Sequence, residues 1–207
     1  MSPRPQNRPR NRPATRGKIL VVSDSNGERL ILDRLKPTPD STIERSYRYT
    51  VSEATRSVPK TENPDAVTDV ICQVGLNDTR QGMSTKKIRE QTLEMQKRYK
   101  KHFKNARQHL TALPPVGDDQ IELNRELQKL SNYTESNFVS TKDFRDRVTG
   151  KMRMNLVKEY HYNEIGIKTL SLALLKSIHS DSNKNTTALN KIIEMDTHSA
   201  VAPTNEQ

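Results

Sequence analysis

The sequence predicts a three-layer α/β/α sandwich around a central, mostly parallel five-stranded sheet. Short apolar runs alternate with longer stretches of helical period, and Pro and Gly residues punctuate the boundaries between them. The first and third runs, Ile19-Leu20-Val21-Val22 and Val70-Ile71-Cys72-Gln73-Val74, are almost unbroken in aliphatic residues. Strands buried on both faces of a parallel sheet read this way.

Taken in order, the first strand is expected at 18–22, followed by a helix at 27–35 with Leu30, Ile31 and Leu35 inward, stopped by Pro37 and Pro39. A short second strand is expected at 43–50 and the third at 69–74. After Gly82, residues 84–105 should form a helix whose buried stripe is Ile88, Met95, Tyr99 and Phe103. The fourth strand, 109–116, runs into Pro114-Pro115, and the helix at 119–130 opens on acids that suit its N-terminal dipole. A fifth strand is expected at 137–140. A polar segment with Lys142, Arg145 and Arg147 then leads to a last helix from Asn163, with Ile165, Leu172, Leu175 and Ile178 on its inner side.

The 207 residues fit one domain, 18–180, between two tails, and 31% hydrophobic content supports one modest core. The charge is uneven. Arg4, Arg8, Arg10, Arg12, Arg16 and Lys18 occur with no acid among them, so the first 18 residues hold six of the net +10. Broken by prolines, residues 1–17 are expected to be disordered and to attract RNA or DNA by counterion release, the plainer alternative being a solubilising extension. The polar stretch 181–207 reads as a flexible tail.

No apolar stretch is long enough to span a bilayer, and the N-terminus lacks the apolar segment of a signal peptide, so an intracellular location, cytoplasmic or nuclear, is expected. Cys72, alone in its chain, reads as a buried filler that can form no internal disulfide. No cofactor and no metal is expected.

Three polar clusters carry the chemistry. Asp24-Ser25-Asn26 follows the first strand, Gly75-Leu76-Asn77-Asp78 follows the third, and Tyr160-His161-Tyr162-Asn163 precedes the last helix. Polar residues just past buried parallel strands lie where such sheets open a ligand crevice. Each cluster has an ordinary alternative: Ser25 as a helix cap, Asn77 as a turn residue, Asp78 as a turn or cap group, His161 as a histidine flanking a helix.

These residues resemble the blocks of the SGNH or GDSL hydrolases, a family of esterases, lipases, thioesterases and carbohydrate acetylesterases. Val22-Ser23-Asp24-Ser25-Asn26 resembles the first block, with Ser23 where the family usually has Gly. Gly75-Leu76-Asn77-Asp78 matches the third, and His161-Tyr162-Asn163-Glu164-Ile165-Gly166 resembles the histidine end of the fifth. The resemblance covers about residues 18–180 and implies a flavodoxin-like sheet and a small acyl-ester substrate. It also implies Ser25 as nucleophile, His161 as base, and an oxyanion hole from the Ser25 N–H, Asn77 and a third donor. That third donor falls at Glu53, where the family places Gly.

A second departure is sharper. The family's triad aspartate stands three residues before the histidine, and here that position is Lys158, a cation that disfavours the imidazolium form. Glu159 and Asp146 are the candidate substitutes. Two functional classes follow: a serine esterase or deacylase, or a catalytically decayed SGNH fold used as a binding module. The second agrees with the basic tail, an arrangement similar to the esterase-bearing first proteins of some LINE-type retrotransposons, which implies RNA binding.

Overall fold

The computed structural model describes residues 17–30, 36, 39–140 and 157–179. Of the expected tails, residues 1–16 and 181–207 lie outside the described residues, as do positions 31–35 of the expected 27–35 helix and the Lys142–Arg147 segment, with Asp146; within the described residues that helix spans only Ser25–Glu28. Five strands form the sheet: β1 (Lys18–Ser23), β2 (Thr42–Tyr47), β3 (Val67–Gln73), β4 (Arg107–Thr111) and β5 (Asn137–Val139). All neighbours are parallel, in the order β2-β1-β3-β4-β5. The chain starts at β1, steps outward to β2, then returns to the other side of β1 and proceeds outward again. The order therefore reverses between β1 and β3, and the loops leaving their C-terminal ends diverge there.

Alternation along each strand builds the two outer layers. Leu20, Val22, Val70 and Cys72 face one side, where they pack with α2 (Val51–Arg56), α4 (Thr85–His102) and α5 (Asp118–Thr134). Ile19, Val21 and Ile71 face the other, against Ile167, Leu170, Leu174 and Ile178 of α6 (Glu164–His179). The expected stripe of α4 is buried in full: Ile88, Met95, Tyr99 and Phe103. Cys72 is buried too, and desolvation pushes its thiol up to about 12, as suits a filler.

The structure corrects several expectations. Ile165 and Leu172 are 53% and 47% exposed, and the buried face of α6 is Ile167, Leu170, Leu174 and Ile178. Apolar residues surround much of this helix, so docking rather than composition selects the inner face. Lys18 begins β1 as expected, and its charge, counted with those of the tail, is engaged in the fold: it donates to Thr61 Oγ1 at 2.7 Å and pairs with Glu44. Gly17 already joins the fold, its C=O accepting from Thr42 N at 3.1 Å. Strand β2 ends at Tyr47, before α2, a helix the apolar pattern does not announce. Among the described residues no helix is long and apolar enough to cross a membrane.

Strand β4 leaves its ladder at Thr111, and Asn124 of α5 completes what the strand gives up. Its Oδ1 accepts from Leu113 N at 2.7 Å and its Nδ2 donates to Leu113 O at 2.9 Å, all in the interior. Asn124→Ala strands a buried donor and a buried acceptor together, and is expected to cost about 2–4 kcal/mol. Urea denaturation checks this; a loss below about 0.5 kcal/mol, the scale of an ordinary surface change, would contradict it.

Candidate active site

Ser25 stands two residues past the end of β1 and is the first residue of the four-residue helix α1 (Ser25–Glu28). Asp24 caps that helix, its Oδ1 accepting from Asn26 N at 3.0 Å, so the cap role that Ser25 might have filled belongs to its neighbour. The Ser25 N–H lies in the first turn and has no intrahelical acceptor. Asn77 stands at the same level after β3, in α3 (Leu76–Arg80), entered through Gly75 at φ 122. Its Nδ2 donates to Tyr49 O at 2.9 Å, which fixes the amide and leaves its second N–H for another acceptor.

His161 arrives from the opposite end of the sequence on a two-residue-per-strand antiparallel hairpin, β6 (Val157–Lys158) and β7 (His161–Tyr162). The Glu159 backbone turns it, at φ 55. Two hydrogen bonds from fully buried Tyr162 seat the hairpin: its N–H donates to Asn26 Oδ1 at 3.2 Å and its hydroxyl to Ala112 O at 3.1 Å. Asn163 caps α6, its Oδ1 accepting from Gly166 N at 3.0 Å. The result places Ser25 Oγ 3.1 Å from His161 Nε2, across 136 residues of chain. With the ring proton on Nδ1, Nε2 can accept the serine proton.

The electrostatics divide the crevice. Desolvation first, then the charges of Arg29 and Arg80, lower the His161 pKa from its ordinary value, and the Glu159 charge acts against them. Among the described residues no carboxylate hydrogen-bonds the ring, so Glu159 acts on it through charge alone. Lys158 is exposed and stands directly across the hairpin from His161. Beneath Ser25, Asp24 is fully buried; desolvation, aided by the nearby Asp78 charge, raises its pKa to about 6. Burial raises Asp78 as well, and its Oδ2 accepts from Val51 N at 3.0 Å, the cap role expected of it.

Glu53 is not the third oxyanion donor that the resemblance implied. Its N–H is taken by Thr50 Oγ1 at 3.1 Å, while its carboxylate accepts from Tyr49 N at 2.8 Å. The Thr50-x-x-Glu53 spacing is a capping signal that announces α2 and explains the Thr50 contact; the carboxylate reaches back one residue further, to Tyr49 N. Four further residues at the site had no role assigned from sequence: Asn26 and Tyr162, which hold the hairpin, and Arg29 and Arg80, which flank the imidazole.

Two other described histidines have settings of their own. His102 packs its ring against Phe103 at the end of α4. His109 has the fuller setting: fully buried, it contacts Asp69 Oδ1 at 2.8 Å through Nε2 and Ser177 Oγ at 2.9 Å through Nδ1. Arg107 also binds that aspartate, at 2.8 Å. The sequence of groups is that of a hydrolytic triad, but Asp69 lies near the start of β3, away from the crevice. The cluster ties α6 to β3 and β4.

No protein-family model matches the chain, and no curated protein matches it in sequence. Solved structures do. A Streptococcus pneumonia protein assigned provisionally as a platelet activating factor aligns at TM-score 0.65 and 19% identity, over 80% of this chain and 86% of its own. The psychrotrophic esterase EstA from Pseudoalteromonas aligns at TM-score 0.56 and 19% identity, over 78% and 96%. A member of the lipolytic protein G-D-S-L family from Veillonella parvula aligns at TM-score 0.59 and 14% identity, over 77% and 97%.

Two measurements probe this electrostatic division. In an NMR titration, the His161 pKa should fall below that of an ordinary imidazole. Glu159→Gln should lower it further by removing a stabilising charge, and Arg80→Gln should raise it by removing a repelling one. Opposite movements would show that these groups do not face the ring. Asp24→Asn tests the buried acid. Because the folded pKa of about 6 exceeds the ordinary 3.8, the folded state prefers the proton, and stability is lost as pH rises from about 4 to 6. The amide keeps the cap without the charge, so it should stabilise by about 1–3 kcal/mol at pH 8 and have little effect below pH 4. Denaturation curves at the two pH values decide it.

Proposed function

We propose that this chain, with the fold of the SGNH/GDSL hydrolases, is a serine esterase or deacylase working through Ser25 and His161. The observation that carries the reading is the 3.1 Å contact between Ser25 Oγ and His161 Nε2 at the mouth of the β1/β3 crevice. As Oγ attacks an ester carbonyl, Nε2 takes its proton. Negative charge builds on the carbonyl oxygen, facing the Ser25 N–H and the free Asn77 amide proton. The imidazolium then protonates the departing alkoxide, leaving an acyl group on Ser25. Water, deprotonated by His161, attacks that acyl group, releases the carboxylic acid and restores the serine.

Two observations favour a second reading, a catalytically silent binding module. The imidazole has no carboxylate hydrogen bond among the described residues, and the Glu53 carboxylate occupies the Tyr49 N–H beside Asn77. In such a module the basic residues 4–16 would bind nucleic acid, with affinity falling steeply as salt rises. Lys18, held by Glu44, would contribute little.

A fluorophosphonate and a short-chain activated ester separate the two readings. The EstA structure is of the enzyme inhibited by monoethylphosphonate, which supports this choice of probe. Labelling is expected at Ser25, and Ser25→Ala or His161→Gln should lower turnover by about a thousandfold or more. Asn77→Ala should cost about a hundredfold. Lys158→Asp should raise turnover by placing a carboxylate across the hairpin from His161. Labelling at Ser23, or full turnover in Ser25→Ala, would remove the assignment. No labelling and no turnover in any variant would favour the binding module.

A further inference from the structure

Each helix that brings a functional group to the crevice also carries an arginine about one turn further on. Arg29 closes α1 four residues after Ser25, and Arg80 ends α3 three residues after Asn77. Both guanidinium groups lie close enough to His161 for their charges to act on its ring. The Arg80 guanidinium lies 4.9 Å from the centroid of the Tyr160 ring, the residue before the histidine.

Both arginines are exposed, and among the described residues neither forms an ion pair with a carboxylate. The charges of Glu28, Asp24 and Glu53 act on Tyr47, at the end of β2. Glu159, on the exposed hairpin turn, is the acid that acts on His161. Two exposed cations beside the imidazole weaken its hold on a proton; Arg80 contacts the Tyr160 ring, but among the described residues neither guanidinium has a carboxylate to balance its charge. An anionic ligand would supply the missing partner, since guanidinium groups bind carboxylate and phosphate oxygens in forked geometry.

We propose that the site takes a small carboxylic ester bearing its own negative charge, a carboxylate or phosphate, held by Arg29 and Arg80 while Ser25 attacks the ester carbonyl. This rests on the esterase reading above, and the experiment keeps the two apart.

The full chain is assayed with two matched pairs of esters. One pair, the mono-nitrophenyl ester of adipate and its methyl-capped counterpart, places the charge on the acyl side. The other, acetoxybenzoate and its methyl ester, places it on the alcohol side. In at least one pair kcat/KM should favour the anion by about tenfold, and the ratio should fall toward unity in Arg29→Gln/Arg80→Gln and at high salt. A ratio at or below unity in both pairs overturns the proposal and leaves the esterase standing. If the arginine variant loses both members of a pair equally, the arginines position the hairpin and the proposal is again overturned. If no ester is turned over, the esterase reading fails, and binding decides. The mono-anilide of adipate and its methyl-capped form are then titrated into Ser25→Ala by NMR. Tighter, arginine-dependent binding of the anion supports the inference, and equal binding overturns it.

Discussion

The pairing of β1 with β3 is the constraint on which the rest of the molecule depends. Val22 stands opposite Cys72 and Ser23 opposite Gln73, and Asp24 N donates to Gln73 O at 3.0 Å, extending the ladder one residue past the strand. Both strands therefore release their chains at the same level. Ser25 turns into α1 on one side and Asn77 into α3 on the other. The exit of β2 is held to the same edge, because Arg48 N donates to Ser23 O at 2.9 Å. A slip of one residue in this register would turn Leu20 and Val22 to the α6 face and Val21 to the other, so the core that fixes the sheet also fixes the crevice.

Beneath the crevice the packing changes character. Asp24 Oδ2, Asn26 Nδ2, both terminal atoms of Gln73 and Asp78 Oδ1 are buried without a hydrogen-bond partner among the described residues. Such groups are costly in a small domain, and three of the four residues are attached to something the crevice needs. Asp24 caps the helix of Ser25, Asn26 receives the hairpin through Tyr162, and Asp78 caps α2 behind Tyr49. The Asp69–His109–Ser177 group shows the contrary case, a fully paired polar network on the other stretch of β3 and β4 that serves the attachment of α6.

The imidazole of His161 is held indirectly. Nothing among the described residues fixes His161 through Nδ1, and its placement comes from Tyr162, anchored to α1 on one side and to the end of β4 on the other. A ring positioned by its backbone neighbour is fixed in place but gains no charge stabilisation from it. The positive surroundings of Arg29 and Arg80 push in the opposite direction. The crevice thus pairs a serine and an imidazole at hydrogen-bond distance in surroundings whose charge is tilted toward the positive.

Strands β1 and β3, the α4 stripe and the three polar clusters were legible in the sequence because each is a local pattern: an aliphatic run, a recurrence every three or four residues, or a polar group at the end of a strand. Strand β4, expected at 109–116, lies at Arg107–Thr111, because its polar residues Arg107, Gln108 and His109 pair in the sheet while the apolar stretch after Thr111 leaves it. Even α2 had a local signature in Thr50-x-x-Glu53, though no apolar period to accompany it. The inner face of α6 was not legible, since Ile165, Ile167, Leu170, Leu172 and Leu174 offer more apolar surface than one contact can bury, and docking against β1 and β5 made the selection. The hairpin that carries His161 is too short for any period to appear. Only the tertiary structure brought Ser25 to His161, set Lys158 across from the imidazole and gathered two arginines around it, because charge and hydrogen-bond partners separated by 136 residues meet only once the chain has folded.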